Sequence, residues 1–201
     1  MILLVSAVEK ELAWWRPREG VERLVAGVGP VETACAVAAA LGGRPYTLVI
    51  DAGLAGALDG AARIGDGVIV AEEMMEISLE SGAPLALPDG ETTIERSHSD
   101  ATLVARLAQA GFAALRGVTV ARATTTDETA ARLAVRGAQV ESMEGFAALR
   151  AAQRAGVPAI ELRGISNRWG SRERSGWDFG AGTAGLRRIL DAFFSLREAG
   201  A

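Results

Sequence analysis

Short apolar runs alternate with helix-forming stretches along the whole chain, and this alternation constrains the fold more than any other feature. Ile2 to Ala7, Val21 to Ala26, Tyr46 to Ile50, Gly67 to Ala71, Val118 to Ala121 and Ala159 to Ile165 are runs of strand length. Most end in glycine or polar residues, which break the chain at that point. Between them lie a helical stretch carrying Leu12, Trp14 and Trp15, an alanine-rich helix over Val31 to Leu41, and another over Ala101 to Ala110. Gln139 to Ser142 leads into a helix from about Glu144 to Ala155, ended by Gly156 and Pro158. The final helix, roughly Ala181 to Arg197, puts Leu186, Ile189, Leu190, Phe193 and Phe194 on one face. Strands joined by helices predict an α/β fold with a largely parallel sheet buried between helix layers.

The 201 residues contain no internal repeat, low-complexity tract or linker, so residues 1–201 are expected to form a single domain. The segment from Glu72 to Ser99 departs from the pattern. Pro84, Pro88, Asp89 and Gly90 mark turns there, and it reads as a mobile or partner-facing loop.

Charge and rare residues exclude several function classes. A net charge of −4 gives no basic footprint for nucleic acid. One cysteine, Cys35, cannot build a disulfide framework, and one histidine, His98, cannot build a multi-histidine metal centre. Cys35 is expected in the core and His98 at the surface. The apolar start runs straight into Glu9, Lys10 and Glu11 without a basic segment before it, and no stretch suits a bilayer. The expectation is a cytoplasmic protein that engages neither membrane nor nucleic acid.

Ligands of open α/β sheets collect at the carboxyl ends of strands. Four stretches there carry candidate chemistry. Gly27-Val28-Gly29-Pro30 lies between a strand and a helix, but Glu32 stands where a dinucleotide loop has its third glycine, and its charge opposes phosphate. A tight turn beside a small-molecule pocket fits better. Glu9-Lys10-Glu11 reads either as a solvated helix start or as an acid placed at a strand end. Glu144, between Met143 and Gly145 at a strand-to-helix junction, is either a helix N-terminal acid or a carboxylate able to accept two hydrogen bonds from a vicinal diol. The stretch from Arg163 to Trp177 is dense in amide, guanidinium and indole, suiting a ligand or a loop packed on the body.

Taken together, Ser6 to Glu11, Ala26 to Gly29, Asp51 to Gly56, Ser142 to Gly145 and Arg163 to Asn167 resemble, in order, the purine nucleoside phosphorylase and 5′-methylthioadenosine nucleosidase superfamily. Glu141 to Phe146, and Ile165-Ser166-Asn167 with Arg172, Glu173, Arg174 and Trp177 beyond, narrow the likeness to the futalosine hydrolases of an alternative menaquinone pathway. The resemblance implies a mixed central sheet flanked by helices, no metal or other cofactor, a small nucleoside substrate, and a homo-oligomer with its site near the subunit interface.

By the same resemblance Glu11 activates water, while Met143 and Glu144 clamp the ribose. Ser166 and Asn167 meet the base. Asn167 falls where adenine-specific nucleosidases carry an aspartic acid; an amide offers both donor and acceptor, which suits the 6-oxopurine of futalosine but cannot supply a proton outright. Arg172 or Arg174 would pair with the benzoate carboxylate of futalosine, with Trp177 or Trp169 beside its ring. No arginine stands in the glycine stretches to hold phosphate, which favours water as the nucleophile. A methylthioadenosine-type nucleosidase, a phosphorylase and a non-catalytic nucleoside-binding protein are the competing readings.

Overall fold

The computed structural model describes residues 1–78, 83, 85–91, 93–170 and 176–199. In chain order these form β1 (Ile2–Ser6), a 3-10 turn (Glu9–Leu12), β2 (Val21–Val25), α1 (Pro30–Gly43), β3 (Leu48–Ala57) and β4 (Gly67–Met75). A second 3-10 turn (Pro88–Gly90), β5 (Arg96–His98), α2 (Ala101–Gln109), β6 (Ala113–Thr119) and α3 (Asp127–Val135) follow. Then come β7 (Val140–Ser142), α4 (Gly145–Arg154), β8 (Ala159–Arg168) and the closing helix α5 (Phe179–Glu198).

Period-two alternation sets the layers. In β1, Ile2 and Leu4 turn to one side, where they join Ile50, Leu162 and the buried stripe of α5. Leu3 and Val5 turn to the other, against Val37 of α1 and Leu149 of α4. A strand buried on both faces needs helices on both. The five residues expected on one face of the last helix are all buried.

The sheet is mixed, as the family likeness implies, rather than largely parallel. Strand β1 lies between β2 and β3, parallel to both. Strand β3 runs parallel to β8 and antiparallel to β7, and β4 runs parallel to β6 and antiparallel to β5 and β8. Since β6 and β7 also pair, the path β3–β8–β4–β6–β7 returns to β3, and five of the eight strands among the described residues close into a ring. A buried apolar run looks the same in either direction, so sequence patterning could not reveal the antiparallel closures.

Several boundaries differ from expectation. Strands β3 and β8 each run ten residues, past Ile50 and Ile165. The glycine-spaced stretch after Ile50 is therefore strand as far as Ala57, and Asn167 stands on β8 rather than in a loop. Glycine and polar composition hid strands that tertiary pairing imposes. The strand expected at Val118 to Ala121 is β6, beginning earlier at Ala113. Helix α3 was not foreseen; the Thr126 hydroxyl caps it by accepting from the Thr129 N–H, with Asp127 and Glu128 in its first turn. The helical stretch after β1 shrinks to one 3-10 turn. The irregular segment begins as the end of β4 and finishes in β5, which pairs with it. Cys35 is exposed, because α1 buries Thr33 and Val37 instead. His98 lies exposed on β5, 3.9 Å from a Glu72 carboxylate oxygen.

Candidate active site

Every second residue of a strand faces the inside of the ring. One inner layer is apolar, formed by Ala55, Ala57, Val68, Val70, Leu115, Val140 and Ile165. The next layer is charged. Arg163 on β8 donates from Nε to Glu161 (2.7 Å) and from Nη2 to Asp51 of β3, and all three are buried. Burial pushes the Asp51 carboxyl above its usual range against the pull of Arg163, with Glu161, Glu144 and Glu11 adding repulsion. Gly53 leaves the space in which this layer meets Glu11: a Cβ there would overlap Arg163 Nη1 and come within 2.9 Å of Glu11 Oε1.

Glu11 sits in the 3-10 turn after β1 and is only 6% exposed. Its Oε2 accepts from the N–H groups of Ala7 (3.0 Å) and Val8 (3.2 Å), and Oε1 accepts from Leu54 N–H (2.9 Å). Burial raises its pKa. The Leu54 N–H, Arg163 and the Val8 N–H oppose this, and Glu144 adds to it. The group is a held, desolvated base.

Glu144 is the N-cap residue of α4 and is equally buried. Its side chain does not cap its own helix. Instead Oε1 accepts from Gly29 N–H (2.9 Å) and Oε2 from Met143 N–H (3.2 Å). The Gly27-Val28-Gly29 turn thus serves the pocket, as expected, by presenting an amide to this carboxylate.

Asn167 faces Gly56 across the β3–β8 pair, at a register shift between Ala55 and Gly56. A Cβ on Gly56 would lie 2.8 Å from Asn167 Nδ2. Asn167 Oδ1 accepts from Ser166 Oγ (2.9 Å), and Nδ2 donates to the Arg168 carbonyl (3.1 Å). That carbonyl fixes the amide's orientation and leaves the second N–H of Nδ2 to donate elsewhere.

One cleft collects these groups. Glu11, Met143, Glu144, Ser166, Asn167 and Trp177 all line it. Trp169 does not; it is buried with Met74, Val118 and Leu133, so the packing reading holds for that indole. Arg172 and Arg174 lie outside the described residues. The cleft also takes in Thr124 and Thr125, whose loop the sequence places near the base without assigning a contact, and it takes in Glu141, Arg168 and Phe179; to these last three the sequence reading gave no role. The Glu161–Arg163 pair was likewise missed, although two charges at alternate positions of an apolar strand do signal a polar interior. Arg163 stands near the glycine stretch, yet two carboxylates already occupy it, which leaves little of its charge for a phosphate dianion.

Residues 20–194 match the model of the phosphorylase superfamily. The chain is 40% identical over 191 residues to the futalosine hydrolase of Acidothermus cellulolyticus, covering 88% of this chain and 75% of that protein. It is 37% identical over 184 residues to the futalosine hydrolase of Streptomyces coelicolor, covering 84% and 76%. Among solved structures, the Streptococcus pneumoniae MTA/SAH nucleosidase in complex with 8-aminoadenine superposes with a TM-score of 0.78 over 96% of this chain and 98% of that one, at 19% identity, a likeness of fold. Matched over most of its length and sharing its fold with nucleosidases, the chain belongs to the phosphorylase superfamily and, within it, to the futalosine hydrolase family of N-ribosyl hydrolases.

Proposed function

We propose that the cleft hydrolyses the N-glycosidic bond of futalosine, releasing hypoxanthine and dehypoxanthine futalosine in menaquinone biosynthesis. The observation that carries this is the convergence of Glu11, Glu144 and Asn167 on one cleft. As the base departs, the anomeric carbon gains oxocarbenium character, and charge must be stabilised on both fragments. Glu144 accepts hydrogen bonds from the ribose hydroxyls and places negative charge beside the developing cation, with Met143 against the sugar. Glu11 takes the proton of the attacking water, and its raised pKa makes it a better acceptor than an exposed carboxylate. Asn167, backed by Ser166, directs its free N–H to O6 or N7 of the leaving hypoxanthine, with water as the proton source. Trp177, at the mouth, lies beside the benzoate ring; the family resemblance assigns the carboxylate of that ring to Arg172 or Arg174.

The enzyme is further proposed to act in the cytoplasm as a homo-oligomer. Among the described residues no helix is long and apolar enough to cross a membrane.

The test is base release from futalosine, inosine and methylthioadenosine, each with and without inorganic phosphate. Futalosine should be cleaved fastest and independently of phosphate, giving the free sugar hemiacetal. Phosphate-dependent formation of a sugar 1-phosphate would establish phosphorolysis instead, and a preference for methylthioadenosine would remove the role given to Asn167.

A further inference from the structure

We propose that Glu73 is a positioning residue of this reaction: from inside the strand ring it orients two hydroxyls that cap α4, and so releases the Glu144 carboxylate for the sugar. The proposal rests on the reading of Glu144 as the ribose clamp.

The first N–H groups of a helix need acceptors, and the N-cap side chain normally provides one. In α4 that residue is Glu144, whose carboxylate is turned away to Gly29 and Met143. Two other side chains take over the caps. Ser142 Oγ accepts from Gly145 N–H (3.2 Å), and Thr119 Oγ1 accepts from Phe146 N–H (2.7 Å). A hydroxyl that accepts must still place its own proton. Both protons go to the same atom, Glu73 Oε1, at 2.6 Å from Thr119 Oγ1 and a longer 3.4 Å from Ser142 Oγ. The helix that carries the sugar clamp is therefore anchored from below through strands β4, β6 and β7, and the chain of contacts ends on Glu73.

The surroundings are shaped for this side chain. Glu73 is fully buried, and a register shift between Val70 and Glu72 turns it into the ring. A Cβ on Gly117 of β6 would overlap Glu73 Oε2, so glycine leaves the space that the carboxyl occupies. Among the described residues Oε2 has no hydrogen-bond partner. Burial, and then the charge of Glu161, push the carboxyl well above the usual range against Thr119 and Arg163, with Asp51 adding to the rise. The protonated acid is favoured, and its proton belongs on Oε2, because Oε1 receives the hydroxyls. A glutamine amide copies that arrangement: its oxygen accepts, and its NH₂ replaces the acid O–H.

The test is a double-mutant cycle on kcat/KM for futalosine, with the melting temperature of each variant recorded. Glu73→Leu should lower kcat/KM by about 100-fold, the size of a loss from misplaced groups. Added to Glu144→Ala, it should cost less than about threefold more, because both act through one carboxylate. Glu73→Gln should recover kcat/KM to within about tenfold of the native enzyme. If Glu73→Leu does not fold, the pair Thr119→Val and Ser142→Ala takes its place in the cycle with the same expectation. Fully additive losses overturn the proposal, as does native kcat/KM in Glu73→Leu, or a Glu73→Gln no better than Glu73→Leu. Native kcat/KM in Glu144→Ala would instead overturn the ribose-clamp reading beneath it.

Discussion

The floor and the mouth of the cleft are built by opposite means. At the floor, Glu11 and Glu144 are each 6% exposed, and backbone N–H groups of Ala7, Val8, Leu54, Gly29 and Met143 hold their carboxylates. At the mouth, Trp177 is 62% and Phe179 41% exposed. Arg168 is tied there by a solvent-facing ion pair to Asp59 at 3.4 Å. Backbone amides cannot move without moving the strand or turn that carries them, so the floor is preorganised at the two carboxylates to which the proposed mechanism gives the developing charge. Side chains at an exposed rim can change one at a time, so the rim is the part of the cleft most open to variation.

The floor should fail most completely. Glu11→Gln is expected to lower kcat by about 10² to 10⁴-fold, the range for a positioned general base, with a smaller change in KM. The native pH profile carries the same information. The base must be ionised, and burial raises its pKa. The rate should therefore fall, as pH decreases, through a value above the ordinary glutamate pKa of about 4.3. An acid limb at or below that value would show that Glu11 is not desolvated in the working enzyme.

Two glycines on one strand separate floor from rim more sharply. Gly53→Ala would drive a Cβ into Arg163 Nη1 and against Glu11, both buried and both held by partners. It should lower the melting temperature and cut kcat by about 100-fold through displacement of the base. Gly56→Ala meets the terminal amide of Asn167, which is half-buried and held by two local hydrogen bonds, from Ser166 Oγ and to the Arg168 carbonyl. Turning that amide aside breaks only those two contacts, so the melting temperature should fall less than in Gly53→Ala while futalosine turnover falls by about tenfold, the scale of one misdirected hydrogen bond. Circular dichroism melts with steady-state kinetics on both variants check the order; a Gly56→Ala less stable than Gly53→Ala would reverse the comparison.

These glycines also mark how far the sequence could be read. The layered α/β plan followed from apolar runs and the stripe on α5, and the site residues Glu11, Met143, Glu144, Ser166, Asn167 and Trp177 do share one cleft. What stayed hidden has a common physical origin. The pairing of β3 with β8 extends both strands through glycines that look like loop, because close approach of Glu11, Arg163 and Asn167 requires residues without a Cβ. The ring closure depends on antiparallel pairs between segments far apart in the chain, which no local pattern encodes. Glu73 looked like part of an irregular insert, since its inward turn comes from a register shift visible only in the paired strands. Trp169 and Trp177 lie in one polar segment, yet one packs into the core and the other stands at the rim, a distinction that composition does not carry.

The smallest effect belongs to the mouth. Full burial of a large apolar side chain is worth about 1.5–3 kcal/mol, and a ring that begins 62% exposed and is covered only when substrate arrives realises part of that. Trp177→Ala should accordingly raise KM for futalosine by about three- to tenfold and leave kcat near native, the signature of lost binding that is equal in ground and transition states. Inosine, which has no aromatic group at the 5′ position, should show no such change. Equal rises in KM for both substrates would place the indole against the sugar or the base, and would move Trp177 from the variable rim to the fixed part of the cleft.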